Sequence, residues 1–176
     1  MTEPSASSIT DEVLRCMSRL TLTAGALLLT MACTAAPAAP TAAVTAPASG
    51  SANLASNVSY CTDEINRYRV STGLAPLERS DALDGFAAQA AEHDAQSRVP
   101  HQYFRMTNGA GIATAENQLL FWKGYTVPQV IKQGVAQMWA EGPSGSHYQI
   151  MTGKYAQVGC GIYMNGNEVT ISQDFR

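Results

Sequence analysis

Two alternating runs joined by Asn165-Gly166, close to the carboxy-terminal end, constrain this chain more than any other feature. From Gln157 to Met164 the residues Val158, Cys160, Ile162 and Met164 fall on one side, and Glu168 to Phe175 alternates again. A two-residue period marks strands, and Asn-Gly supplies the positive φ angles that a tight hairpin turn needs. The pattern therefore predicts an antiparallel β-hairpin. Gly159 and Gly161 leave the opposite side of the first strand without bulk, which makes room for another element to pack close against it.

Ahead of the hairpin the periodicity is helical. Cys61, Ile65 and Tyr68 share a face over Tyr60 to Thr72, with Gly73 as a stop. Ala75-Pro76-Leu77 reads as an extended connector, since the residue before a proline avoids the helical region. Ser80 is placed to cap a second helix, with Asp81 at its positive start and Leu83, Phe86, Ala87, Ala90, Ala91 and Asp94 along one side to about Arg98. Val99-Pro100 ends it. His93 on that helix is expected to be a partly exposed helix residue and not a ligand. A polar, Gly-rich loop is expected over Thr107–Thr114, followed by a partly extended run, Ala113 to Trp122, in which Glu116 is at least half buried. Thr126 caps a third helix with Pro128 in its first turn and Val130, Ile131, Val135, Met138 and Trp139 facing inward. That helix closes on Gly142-Pro143 and delivers Glu141 to its last turn, and an irregular stretch is expected from His147 to Tyr155.

The amino-terminal third is different material. Residues 20–32 form an uncharged apolar run between Arg19 and Cys33, shorter than the ~20 residues that span a bilayer, and read as the core of an export signal. Glu3, Asp11 and Glu12 are foreign to such a signal, whereas a start at Met17 gives an ordinary basic opening, so residues 1–16 are expected to be structurally irrelevant. Thr30-Met31-Ala32-Cys33 is similar to a bacterial lipobox with Thr where Leu is usual, which makes Cys33 the candidate lipidation site. The alternative is plain secretion, and either way the chain is expected to be exported. Residues 34–53 hold Ala, Pro, Thr, Ser and Gly without a charge and read as a disordered tether, leaving residues 54–176 as one domain.

Of four cysteines, Cys16 and Cys33 fall in the first segment, so Cys61 and Cys160 remain as an even pair in an exported domain. One disulfide is the expectation, two buried thiols the alternative. The formal charge is −3 and the domain carries no basic cluster, so nucleic acid is not expected as a partner. The expected state is a monomer that touches the membrane only through its lipid anchor.

His101, Glu116, Glu141 and His147 are the residues with chemistry to offer. Two imidazoles and two carboxylates suit a divalent cation such as Zn²⁺, and a Glu with a His also makes an acid/base pair. They form no local ligand motif, and unrelated surface residues are the competing reading. Ser144 and Ser146 beside His147 do not constitute an activated nucleophile.

The order of these pieces resembles the CAP superfamily, the SCP-type domain of cysteine-rich secretory proteins, antigen 5 and pathogenesis-related proteins. The likeness rests on Asn66-x-Tyr68-Arg69, the run Leu77…Leu83…Ala87, His101, and Ala115-Glu116-Asn117 in place of Gly-Glu-Asn. It continues through Trp139-x-Glu141, His147-Tyr148, Tyr155-x-x-Val158-Gly159-x-Gly161 and Gln173-x-Phe175, and covers 59–176. The resemblance implies an α+β fold, a three-layer α-β-α sandwich ending in the hairpin, with His101, Glu116, Glu141 and His147 as its cleft tetrad. Here His147-Tyr148 runs into Gln149-Ile150-Met151, unlike plant and animal members, and their extra carboxy-terminal cysteines are absent, so a bacterial exported member is implied. The implied function is a binding protein with a divalent metal of the zinc class in its cleft and a lipid-like or cell-envelope ligand. Alternatives are a metal-assisted, peptidase-like hydrolase with Glu116 or Glu141 as base, and a purely structural tetrad.

Overall fold

A computed structural model describes residues 48–176, with side chains from Asn53 onward. The export signal at 1–33 with Met17 and Cys33, and the tether as far as residue 47, lie outside the described residues. Helix α1 (Ala48–Ser71) is followed by β1 (Glu78–Arg79), α2 (Asp81–Ser97) and α3 (Gln102–Thr107). Then come β2 (Ala115–Lys123), α4 (Val127–Ala140), α5 (Ser146–Met151), β3 (Gln157–Asn165) and β4 (Glu168–Phe175). The four strands form one sheet in the order β1-β3-β4-β2, with β1 parallel to β3 and the remaining pairs antiparallel.

Alternation along β3 separates the two faces. Val158 and Cys160 turn to the side of α1 and α4, where they join Cys61, Ile65, Val130, Ile131, Val135, Ile171 and Phe175 in the main core. Gly159 and Gly161 turn to α2. A Cβ at Gly161 would lie 2.0 Å from the Ala87 carbonyl carbon, and one at Gly159 would lie 2.4 Å from the Asp84 nitrogen. The helix backbone rests directly on the strand, as the two bare positions predicted. The result is the α-β-α sandwich, and a disulfide joins Cys61 of α1 to Cys160 of β3.

Several expectations shift in detail. Helix α1 starts at Ala48, inside the stretch read as disordered tether and twelve residues ahead of Tyr60. Pro47 is the last proline before it, and the alanines and Leu54 that follow are good helix formers. The hairpin turn is centred on Gly166 and Asn167, one residue later than Asn165-Gly166, because Asn165 pairs with Glu168 and Gly166 takes the positive φ of 61°. The stretch from His147 to Tyr155 is not wholly irregular: α5 occupies Ser146–Met151, held down by the fully buried Met151. A short helix, α3, also occupies part of the chain between Pro100 and the Gly-rich loop, where Tyr103 and Phe104 pack on Phe86 of α2.

Ser80 does occupy the N-cap position of α2, although its side chain makes no cap bond. At α4 the Thr126 N–H donates to Gln129 Oε1 at 2.9 Å. Among the described residues no helix is long and apolar enough to cross a membrane.

Because the bridged cysteines lie 99 residues apart, the disulfide restricts most of the unfolded domain. Replacing both by Ser is expected to lower the unfolding free energy by about 3–5 kcal/mol in a denaturant titration. A loss under ~1 kcal/mol would mean that the reduced chain is already restrained by other means.

Candidate functional site

The four candidate residues form two pairs. His101 sits between α2 and α3, its Nδ1 2.9 Å from Glu116 Oε1, so the two atoms share a proton. Glu116 opens β2 and is almost wholly enclosed, whereas about a third of the imidazole remains exposed. Burial pushes the Glu116 carboxyl above its usual range, and His101 pulls part of that rise back. Its second oxygen, Oε2, is buried without a hydrogen-bond partner among the described residues.

The second pair is wetter. Glu141 follows the last residue of α4, and Gly142, at φ 69°, turns the chain so that α5 begins after Gly145. Glu141 Oε1 lies 2.5 Å from His147 Nδ1, and its Oε2 accepts the His147 N–H at 3.1 Å. Both side chains are about one-third exposed. Hydrogen bonding to His147 holds the Glu141 carboxyl below its ordinary value. Trp139 stacks on Tyr68 and leans on Tyr148, with centroids 5.1 and 4.5 Å away, which anchors the α4–α5 turn to α1.

Strand β2 stands between the pairs. Glu116 and Asn117 are neighbours on it and point to opposite faces of the sheet. Glu116 meets His101 on the α2 side, while Asn117 Nδ2 donates to the His147 carbonyl oxygen at 3.2 Å on the other. As β2 is an edge strand, the pairs flank one edge of the sheet. Among the described residues no three His, Cys, Asp or Glu side chains are close enough to share an ion. Each imidazole spends Nδ1 on a carboxylate, and among the described residues neither Nε2 has a hydrogen-bond partner. Each pair thus offers one imidazole nitrogen with a carboxylate behind it, and the set does not fit a closed four-ligand structural site.

The α2 side of the sheet also holds polar residues that the sequence reading passed over. Gln118 and Asp174 share the Glu116 face, both buried, and Asp94 of α2 accepts from the Gln118 amide. Gln118 lies two residues beyond Glu116, so the strand period itself pointed to a shared face. His93 is partly exposed, as expected, with Nδ1 3.1 Å from Asp94 Oδ1.

Burial, with Glu116 and Asp94 nearby, pushes the Asp174 carboxyl up to about 9. In the unfolded chain the same group ionises at about 4. The folded state therefore keeps an extra proton between those values. The stability it contributes is complete below the lower value and is lost as the pH rises through the upper one. Asp174→Asn, neutral throughout, is expected to flatten this slope and to raise the unfolding free energy at pH 8 by roughly 1–3 kcal/mol. Denaturant titrations at pH 5 and pH 8 test it; an unaltered slope would show that the carboxyl ionises normally.

The family model of the cysteine-rich secretory protein (CAP) family matches residues 62–175. Among solved structures, an outer surface protein of Borrelia burgdorferi matches at 16% identity and a TM-score of 0.48, over 69% of this chain and 92% of that one. A cysteine-rich secretory protein of Staphylococcus aureus matches at 16% identity and a TM-score of 0.47, over 69% of this chain and 39% of that one. No curated protein sequence matches the chain.

Proposed function

The chain belongs to the cysteine-rich secretory protein (CAP) family, and on that premise we propose that it is an exported binding protein and not an enzyme with a protein nucleophile. The observation that carries this reading is the arrangement of the imidazoles. Both are oriented by carboxylates with Nε2 left over, and among the described residues no Ser, Thr or Cys side chain is hydrogen-bonded to either. A nucleophile needs such a base within reach. A ligand needs only the free nitrogen.

In this proposal His101 and His147 hold a divalent cation of the zinc type, loosely and with water in the remaining positions. Glu116 and Glu141 orient the rings and raise their basicity. The organic ligand is lipid-like or belongs to the cell envelope. In favour of it is a groove of about 310 Å³ between α1 and α2, along the part of β3 that β1 leaves uncovered. Leu54, Ala55, Val58, Ala88 and Ile162 supply its apolar lining, and the Arg79–Asp84 ion pair lines it too. Export, through a lipid on Cys33 or by plain secretion, would bring the domain to such ligands.

A metal-assisted hydrolase is the second reading, favoured by one observation. The raised carboxyl of Glu116 suits proton transfer near neutral pH better than the firmly ionised Glu141 does. If this reading holds, Glu116→Gln abolishes hydrolysis of a peptide substrate while zinc stays bound.

Calorimetric titration with Zn²⁺ is expected to show binding by the parent protein that weakens at least ~10-fold in His101→Ala and in His147→Ala. No binding by the parent removes the metal from the proposal. Solvent extraction and mass analysis of the purified protein are expected to yield bound lipid, depleted in Ala88→Arg, whose new side chain would fill the groove. Equal lipid in both proteins would take the ligand elsewhere.

A further inference from the structure

His101 stands at φ 56° and ψ 19°, a left-handed conformation unfavourable for a residue with a Cβ. Something must hold it there. Its backbone N–H donates to Gln118 Oε1 at 2.8 Å. The Gln118 amide cannot be turned round, because Nε2 donates to Asp94 Oδ2 at 2.8 Å and to Ser172 Oγ at 3.0 Å. With its amino group committed to those acceptors, its oxygen must face His101. Asp94 then uses Oδ1 to accept the Tyr103 N–H at 2.8 Å, in the first turn of α3. One amide and one carboxylate thus grip the backbone at both ends of His101–Tyr103.

We propose that Gln118 is a positioning residue for His101, with Asp94 setting the direction of its amide. Together they hold the histidine backbone in the one conformation that sends Nδ1 to Glu116 and leaves Nε2 outward. An apolar pair of similar volume would fill the space between α2 and β2 without enclosing a charge, and such replacements are often neutral or stabilising. What the polar pair supplies, and an apolar pair does not, is a particular arrangement of the loop carrying His101. The inference rests on the proposed function only for the use made of Nε2; the relay itself is a property of the free protein.

The test reads the relay without any ligand. Long-range proton–nitrogen NMR of the metal-free protein reports the tautomer of each of its three histidines and the proton on His101 Nδ1. His147 serves as the internal reference, while His93 reports on Asp94 directly. Gln118→Met, which keeps the bulk and removes the acceptor, is expected to abolish the single His101 tautomer and its Nδ1 proton signal, with His147 unmoved. The exchanged pair, Asp94→Asn with Gln118→Glu, preserves total charge. It keeps each link while reversing two: the new amide at 94 donates to the new carboxylate at 118 and still accepts from Tyr103, the Ser172 hydroxyl rotates to donate to that carboxylate, and the carboxylate still accepts from His101. That double variant is expected to restore the His101 signature, and Asp94→Asn alone is not.

An unchanged His101 in Gln118→Met overturns the proposal, as does a double variant no better than Asp94→Asn. If Gln118→Met fails to fold, that last comparison decides. Zinc titration of the same proteins separates the two levels of inference. An expected 10- to 100-fold loss of affinity in Gln118→Met supports the relay acting on the site. Parent-like affinity in that variant overturns it. If the NMR changes occur as expected while the parent binds no zinc, the metal reading falls and the relay stands.

Discussion

The close approach of α2 to β3 is the constraint on which the rest of the fold depends. At Gly161 the Ala87 and Ala88 backbone occupies the place where a Cβ would project, and at Gly159 Leu83 and Asp84 do the same. Side chains therefore cannot separate the two elements, and the helix backbone itself forms the outer wall of the sheet. The alanines at 87, 90 and 91 belong to the same arrangement, being fully buried with little bulk. So close a helix can carry Asp94 down to the level of β2 and β4. There the carboxylate reaches Gln118 of β2 across the gap, and through it the loop that bears His101. The Asp84 carboxylate makes a similar contact at the other end of α2, accepting the Cys160 N–H at 2.8 Å beside the disulfide.

The two faces of the sheet consequently do different work. The face toward α1 and α4 is packed with Val158, Cys160, Val169, Ile171 and Phe175, and hydrophobic burial there is the main source of stability. The face toward α2 is polar at nearly every position beyond the glycines: Glu116, Gln118, Thr170, Ser172 and Asp174. Enclosing carboxyl groups in this layer opposes folding unless each is paired or neutral. Asp94 is paired three ways, Glu116 leans on His101, and Asp174 stays protonated. The polar layer is thus held by the geometry of α2 and stabilised from the opposite side of the sheet.

Much of this was legible in the residues. The hairpin, the glycine gap and the faces of α2 and α4 each follow from local pattern, because each depends on neighbours at fixed spacing, and the Cys61–Cys160 bridge followed from counting the cysteines of an exported domain. The alternation along β4 left one matter open. Thr170, Ser172 and Asp174 alternate with apolar neighbours, a pattern common to half-exposed strands, yet every residue of the strand is buried. Period-two patterning identifies which residues share a face; whether that face meets water depends on what lies over it, and only the tertiary position of α2 decides that. The short helices α3 and α5 escaped for a related reason. Six residues carry too little periodicity to register, and both segments are held by contacts from outside, α3 by Phe86 and Asp94, α5 by Glu141 and Asn117. The family likeness implied a single tetrad of His101, Glu116, Glu141 and His147; its division into His101–Glu116 and Glu141–His147 pairs was not legible, since nothing in a separation of 15 residues specifies a contact.

The two His–Glu pairs share a composition but not an environment. Identical residue types at the same edge strand sit in surroundings that move their carboxyls in opposite directions, Glu116 upward by burial and Glu141 downward by exposed hydrogen bonding to His147. A proton is therefore held more tightly on the buried side, and the fixed negative charge lies on the open side. An incoming cation would meet Glu141 and His147 with little desolvation to overcome. At His101, in the proposed reading, it would meet Nε2, and the proton on Nδ1 would stay in its bond to Glu116. The asymmetry follows from the same geometry as the rest. Glu116 lies on the face that α2 closes, and His147 on the far side of β2, where the α4–α5 turn leaves the edge of the sheet open.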